Sequence, residues 1–572
     1  MKALLLPLVP ALVLAQAPAE VRLRADVEHL ASPALAGRGN GEPGLDLAAN
    51  HVAAAHRKLG LPTELQRFGF VSQVIREAGT VRLSREGAPD VALSWGKDLE
   101  AMGWSADAAF QGAGLVFAGY GLGAKAWDDL AGLDLKGRVA VILRQVPNTS
   151  AFASVPGGER SLLGRLRRLA AAGAAAVLVL EEGDMASPLK REDGPLRLDV
   201  PVLSVPRRVL GPELAGALEQ LTQRGGPASG PLPWRLDLAL RLSRPEAQLP
   251  NVVARLEGTD PRLKDEVVVV GAHLDHLGTT GRGSLLREAG RGVIHPGADD
   301  NASGTAVVME VARILKAKGP RRSILFLHFA GEEDGLLGSA HWVRTPTVPL
   351  EKVRFMLNFD MVGRMDTAKP TLQLGGLGAP KSALARARTF APAGVTLGED
   401  LGVAIGGSDH MSFSTARIPT LFFFTGIHGD YHRPSDTPDK LNYRGMAQVA
   451  EMAAQVALDL ANADQVPAWD AETAKVAGRG GGAGPARVAF GTIPDFKEDP
   501  TGFRISGVSP GSTAEALGLM GGDVLVKFGE KPVKTIYDFM DALGIYKGGD
   551  KVTVQWLRGG KPMQGEAVLR GR

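Results

Sequence analysis

Cysteine is absent from all 572 residues. The chain therefore has no disulfides, no thiolate metal ligands and no sulfur for a lipid anchor. Charge imbalance is missing as well: 65 basic and 62 acidic residues leave a formal +3. No basic run or basic-aromatic stripe speaks for nucleic acid. Beyond the N-terminus no apolar run is long enough to span a bilayer. With 44% hydrophobic and 22% charged residues, the composition is that of an ordinary globular protein, and its length implies about 2 to 4 domains.

The first residues, MKALLLPLVPALVLAQAPAE, carry one lysine, an apolar run from Ala3 to Ala15 and two A-x-A sites. They read as a secretory signal peptide of residues 1–19, cleaved after Ala19, and place the protein in the periplasm or outside the cell. Pro7 and Pro10 argue against a buried N-terminal helix.

Three seams divide the rest. The stretch VAGRGGGAG at Val476 to Gly484 is a flexible linker within 466–484, and it sets apart a β-rich unit at 485–572. From about Gln111 to Pro245 short strand-like runs (GLVFAGYG, RVAVILRQVP) surround the alanine-rich helix LLGRLRRLAAAGAAA, a compact α/β insert. Residues 20–110 lead into it. From 246 to 465 apolar runs of four to six residues alternate with helix-period segments, as in DEVVVVGAHLDH, GTAVVMEVARIL and SILFLHFAGEED. That alternation predicts an α/β domain with a mixed, largely parallel sheet sandwiched by helices.

Chemistry in such sheets gathers at the carboxyl ends of the strands. The strand at Val267 to Val270 leads to His273, Ile324 to Phe329 leads to Glu332 and Glu333, Phe355 to Phe359 leads to Asp360, and Pro419 to Phe424 leads to His432. Asp300 sits with Asp299 in HPGADDNASG, ahead of a helix starting near Thr305. Histidine and carboxylate without cysteine are the ligands of a hydrolytic zinc site, with Co2+ or Mn2+ as substitutes. His273, Asp300, Glu333, Asp360 and His432 are too many for one ion and suit a pair, leaving Glu332 as the base for the attacking water. Asp275, two residues past His273, is placed to accept that ring's other N–H. Tyr431 is a candidate donor to the oxyanion at the scissile carbonyl. Asp299, Asn301 and Ser303 read as braces of the loop and helix start. His276, His328, His410 and His428 read as structural.

The motifs GAHLDHLG, HPGADDNASG, GEEDGLLGS, NFDMVGR, GGSDHMSF and DYHRPSDTPDKLN, in that order, resemble those of the dizinc exopeptidases that include leucyl-type aminopeptidases, glutamate carboxypeptidase and the non-catalytic transferrin receptor. The resemblance covers about residues 250 to 465 and reaches the lead-in HLASPALAGRGNGEPG. It implies His273, Asp300 and Asp360 on one zinc, Asp300, Glu333 and His432 on the other, Glu332 as general base and Asp275 behind the ligands. The insert resembles a protease-associated domain through GYG and WDDLAGLDLKGRVAVIL. The C-terminal unit, GFRISGVSPGSTAEALGLMGGDVLVKFGEKPV, resembles a PDZ domain, which implies capture of a peptide or protein chain end by strand addition. Its loop VAFGTIPDF departs from the common Gly-Leu-Gly-Phe form.

These readings converge on an exported two-zinc peptidase acting on peptides with a free N-terminus. No arginine cluster beside the motifs offers to grip a substrate carboxylate, which disfavours a carboxypeptidase. A glutaminyl-cyclase-like enzyme would not need all five ligands. The rival of another class is a non-catalytic peptide-binding protein on the same scaffold.

Overall fold

The computed structural model describes residues 17–571 except 125–126, 147–151, 153–154, 156, 182–185, 187–196, 211–213, 215–217, 219–226, 281–282, 286–291, 399–406, 475–487, 495–500, 509–511, 534–535 and 547. Most of the expected signal peptide and the glycine-rich linker lie outside the described residues. The chain divides into two compact units, Met1–Phe68 with Gln248–Arg572, and Gly69–Ala247. Among the described residues no helix is long and apolar enough to cross a membrane.

The first unit opens with helices α1 (Ala19–Leu30) and α2 (Pro43–Lys58), then strands β1 (Thr63–Val71), β2 (Glu246–Leu256) and β3 (Val267–His273). Next come α3 (Gly304–Lys316), β4 (Ser323–Phe329), α4 (Leu337–Arg344), β5 (Val353–Phe359), β6 (Thr371–Leu377) and α5 (Lys381–Arg388). The series ends with β7 (Thr396–Gly398), α6 (His410–Thr415), β8 (Thr420–Phe424) and α7 (Tyr443–Asn462).

The eight strands form one sheet in the order β1-β2-β4-β3-β5-β8-β6-β7. Its centre, β4, β3, β5 and β8, is parallel. Antiparallel pairings flank that centre, β2 with β4 and β6 with β8, and the edge pair β6 and β7 is parallel again, so the sheet is mixed. Burial explains the division: every residue of β3, β4 and β8 is buried, as parallel strands covered on both faces require. Val267, Val269, Leu325, Leu327 and Phe329 pack on one face with Trp342 of α4 and Phe413 of α6. The alternate residues face the other way, where His56 of α2 stacks on Phe326 and where α3 and α7 pack on β3 and β5.

The second unit has its own eight-stranded sheet, ordered 88–92, 75–85, 229–243, 108–118, 139–143, 176–181, 202–206, 100–101. The insert was expected to begin near Gln111, yet the strand 75–85 already belongs to it. Leu83 and Val81 stand opposite Leu236 and Leu238 in an antiparallel ladder, and all four are buried in this unit's core. The hairpin at 75–92 exposes much of its surface, so the sequence offers little apolar signal there. In the GYG and WDD motifs, Asp129 accepts the N–H groups of Tyr120 and Leu122 and the Trp127 indole N–H at 2.9–3.1 Å. Gly119, at φ 53°, lies so close that a Cβ would meet the Asp129 carboxylate at 2.4 Å. These residues are turn formers.

The C-terminal residues build a further sheet in the order 492–494, 503–508, 524–528, 551–558, 561–568, with 531–532 on 524–528. Phe490, Phe503, Ile505, Phe528, Phe539 and Val554 form its separate core.

Two histidines lie within the first unit's core. His56 and His328 of β4 are 0% exposed, with their Nε2 atoms 2.9 Å apart and both Nδ1 atoms lacking a partner. Burial pushes His56 down to about 3, Arg313 adding to it and Asp26 opposing. Burial, together with His56, holds His328 well below the usual histidine value. Unfolded, each ring takes a proton once the pH falls below about 6.5, and the folded rings stay neutral, so stability is lost as the pH falls. Each ring contributes about 1.4 kcal/mol per pH unit to that loss. A His56→Leu, His328→Leu double variant should have a flatter dependence of urea-unfolding stability on pH between about 6.5 and 4. An unchanged slope would show that the folded rings are already protonated.

Candidate metal centre

Because β4, β3, β5 and β8 run in parallel, their carboxyl ends share one edge of the sheet. His273 ends β3, Glu332 and Glu333 follow β4, Asp360 follows β5, and His432 lies in the loop after β8. Asp300 reaches the same edge from the loop before α3. There the Asp299 and Asp300 N–H groups donate to Asp436 Oδ2 at 2.9 and 3.1 Å, and Asn301 Oδ1 accepts the first helical N–H, that of Gly304, at 2.9 Å. The sequence nominated His273, Asp300, Glu333, Asp360 and His432 as donors, and the two histidines meet Asp300 through different oxygens.

His273 Nε2 lies 3.4 Å from Asp300 Oδ1 and 3.3 Å from Asp360 Oδ1. On the other side, His432 Nε2 lies 3.3 Å from Asp300 Oδ2 and 3.2 Å from Glu333 Oε2. A tetrahedral zinc with ligands at 2.0–2.1 Å has ligand-to-ligand edges of about 3.3 Å. These histidine-to-carboxylate spacings suit an ion on each side of Asp300, one of its oxygens turned to each; His273, Asp300 and Asp360 form one group able to hold a metal, and Asp300 and Glu333 form a second in which His276 is the clustered histidine. Each imidazole also has its other nitrogen committed: His432 Nδ1 donates to the Gly283 carbonyl at 2.9 Å and His273 Nδ1 to the Asp275 carbonyl at 3.2 Å. Those bonds leave each Nε2 facing the carboxylates, where it holds a proton or would bind an ion.

Charge points the same way. Asp275, Asp300, Glu332, Glu333, Asp360 and Asp409 crowd this edge, and ionised carboxylates away from water need positive partners. Although burial disfavours its cation, the carboxylates of Asp360, Glu332 and Asp300 hold the His273 imidazole well above the usual histidine range. Burial likewise opposes a charge on His432, yet Glu333 and Asp300 push it up to about 11. Burial and the charges of Glu333, Asp360 and Asp409 drive the Glu332 carboxyl well above its ordinary value, against the pull of His273. Glu333 goes the other way: burial would raise it, but His432 and His276 hold it well below. The neighbouring carboxyl groups thus separate into a proton holder and an acceptor-only carboxylate.

Asp275 does something other than expected. Its carboxylate stands 3.8 Å from His273 Nδ1, beyond hydrogen-bond reach. Instead Oδ1 accepts the Glu332 N–H at 3.1 Å and Oδ2 the Glu333 N–H at 3.2 Å, while Asn40 donates to Oδ2 at 2.7 Å. The turn carrying the two glutamates is what it fixes; the backbone carbonyl of Asp275 takes over the ring. Tyr431 stacks on the His432 ring at 3.8 Å and packs beside Met361, Phe422 and Phe424.

Asp299 faces away from the donors. It accepts the Gly363 N–H at 2.6 Å and meets His428 Nε2 at 3.0 Å, so it ties the loop to the segment after β5 rather than to the helix that follows it. Ser303 assists by donating to the Asp299 carbonyl at 2.7 Å and accepting the Val362 N–H at 3.0 Å.

Several residues here were not singled out from the sequence. Asp436, in RPSDTPDK, holds the loop of Asp300. Buried Asp409, in GGSDHMSF, is pushed up to about 7 by burial, with Asp275 and Asp360 adding to the effect. Arg38 is fully buried and donates to the carbonyls of Leu274, Leu30, Pro296 and Gly297 at 2.6–2.9 Å. His276, read as structural, has Nδ1 2.7 Å from Glu333 Oε1. Its spacing three residues after His273 was the available signal.

Residues 251–457 match the model of Peptidase family M28. Aminopeptidase YwaD of Bacillus subtilis (strain 168) is 25% identical over 426 residues, 73% of this chain and 79% of that protein. An aminopeptidase of Pseudomonas aeruginosa (strain UCBPP-PA14) is 26% identical over 342 residues, 59% of this chain but 56% of its own length. Among solved structures, an aminopeptidase from Aneurinibacillus sp. strain AM-1 is similar over 80% of this chain and 97% of its own, at 23% identity and a TM-score of 0.49.

The two adjacent aspartates should separate in a zinc titration of the chelator-treated protein. Asp300→Ala should abolish tight uptake, because both donor sets lose a member. Asp299→Ala should retain uptake and lose about 1–3 kcal/mol of stability, the cost of leaving the Gly363 N–H and His428 unpaired. Equal loss of zinc in both variants would refute the division.

Proposed function

We propose that this chain is an exported, zinc-dependent aminopeptidase with two ions at the sheet edge. His273 and Asp360 would hold one, Glu333 and His432 the other, and Asp300 both. The observation that carries the reading is the pair of donor sets sharing Asp300, with imidazole-to-carboxylate spacings of 3.2–3.4 Å on both sides. The family match and the relatives named aminopeptidase support the reaction class. When bound, a zinc pair supplies Lewis acidity to the scissile carbonyl and to the attacking water, and Co2+ or Mn2+ could occupy the same donors.

The protein's own part is proton transfer and orientation. Burial and neighbouring carboxylates raise the Glu332 carboxyl in the metal-free chain; with divalent ions balancing the charge in place of protons it would be ionised, and would then take a proton from the attacking water and pass it to the leaving amine. Asp275 holds the turn from which Glu332 and Glu333 project, so base and ligand keep their separation. Tyr431 donates to the oxyanion of the tetrahedral intermediate. Of Arg364 and Arg433, the two arginines beside the motifs that could grip a substrate carboxylate, Arg364 is paired with Asp430 at 2.9 Å, and the motifs carry no arginine cluster. That favours release of residues from the free N-terminus over carboxypeptidase action. The residues at 1–19 direct export to the periplasm or beyond, the insert is a protease-associated domain, and the C-terminal unit is a PDZ-like module for a peptide or protein chain end.

Peptides with a free N-terminus should be cleaved and their N-acetylated counterparts left intact, with about two zincs per chain at full activity. Equal cleavage of the blocked peptide would sink the aminopeptidase reading; full activity with one zinc would sink the two-ion site. Glu332→Gln should keep its zinc and lose roughly 100-fold or more in kcat. A loss of only a few-fold would place the base elsewhere.

A further inference from the structure

We propose that His276 is a positioning residue for the second ion site: its Nδ1–H holds one oxygen of Glu333 so that the other faces His432 and Asp300. The assignment rests on the two-ion reading above. The distances separate this role from direct ligation. His276 Nδ1 is 2.7 Å from Glu333 Oε1, a charge-assisted hydrogen bond, and 3.8 Å from Asp300 Oδ2. Both differ from the edge of about 3.3 Å expected between ligands of one tetrahedral zinc. His432, by contrast, meets Glu333 through Oε2 at 3.2 Å. The two histidines therefore divide the carboxylate between them, one oxygen each.

The ring is seated by three separate parts of the chain. Its backbone N–H donates to the Arg38 carbonyl at 3.2 Å, and His276 pairs with Gly39 in a parallel bridge. Its edge meets the His432 ring, centroids 5.7 Å apart at 72°. Its flank rests on Gly297, where φ is +58° and a Cβ would come within 2.5 Å of the imidazole Cδ2. The glycine of HPGADD is thus the floor on which the second histidine of HLDH lies. A ring fixed on this many sides, 1% exposed, fixes its hydrogen bond too. Outer residues of this kind orient the ligand and typically change metal affinity about 10- to 100-fold.

The test uses the full chain, stripped by a chelator and titrated with Zn2+ by calorimetry, then with Co2+ by visible absorption. Circular dichroism reports whether each variant is folded. Wild type should take up two ions. His276→Ala should retain the first and bind the second about 10- to 100-fold more weakly. His276→Asn, whose amide nitrogen can occupy the place of Nδ1, should recover to within a few-fold of wild type. His276→Gln, whose amide reaches the Nε2 position instead, should not recover, and it serves as the test should the alanine variant fail to fold. Wild-type affinity for both ions in His276→Ala, or in His276→Gln, would overturn the proposal. So would an asparagine variant as impaired as alanine with an altered Co2+ spectrum, which would make the ring a ligand. Uptake of a single ion by wild type would instead overturn the two-ion reading, and this assignment with it.

Discussion

Everything at the candidate site follows from negative charge held at one edge of a parallel sheet. Asp275, Asp300 and Asp409 are 0–3% exposed, and Glu332, Glu333 and Asp360 adjoin them. A cluster like this cannot remain fully ionised without cations. Two answers are visible in the chain itself. Protons are retained on His273, His432 and Glu332, whose pKa values are all driven upward. And Arg38 brings a guanidinium: burial lowers it to about 10, opposed by Asp300, Asp275, Asp436 and Glu333, so it stays charged at neutral pH. Divalent ions between the two donor sets would replace protons as the balancing charge, and the 3.2–3.4 Å spacings fit them.

The sequence made the central architecture legible because fully buried parallel strands leave an unmistakable trace. Runs such as VVVV and ILFLHF mark β3 and β4, and the polar residue after each run marks where the chain leaves the core. Four of the five ligand candidates lie beyond such runs, and Asp300 was named from the loop ahead of α3. The flanking strands were harder to place, since an antiparallel edge depends on tertiary pairing that leaves no separate period. For the insert the boundary near Gln111 came from the first strand-like apolar runs, whereas the sheet begins with a half-exposed hairpin at 75–92 whose few buried residues are Val81 and Leu83.

What sequence could not resolve is division of labour among neighbours of like type. Asp275 and the ring of His273 are close in sequence, and simple alternation pairs them; the fold instead turns the carboxylate toward the Glu332 and Glu333 N–H groups. Asp299 and Asp300 are adjacent and identical in type, yet one accepts from Gly363 and His428 while the other faces His273 and His432. The choice is made by Asp436, which captures both backbone N–H groups and sets which way each side chain leaves the loop. No local pattern around residue 299 contains that information, because the deciding acceptor is more than a hundred residues away.

The lead-in segment shows the same dependence from the opposite end of the chain. Arg38 ties Leu30 to Leu274, Pro296 and Gly297, thereby joining α1, the turn after β3 and the loop of Asp300 through one side chain. Asn40 then links Asp275 to Asp334, at 2.7 and 2.8 Å, next to the glutamate turn. A buried guanidinium whose hydrogen bonds go to carbonyls keeps its full charge available to the carboxylates around it, which a salt-bridged arginine would not. The residues at 30–40 are therefore the back wall of the site: they hold three of its loops together and supply part of the positive charge that lets its carboxylates lie so close.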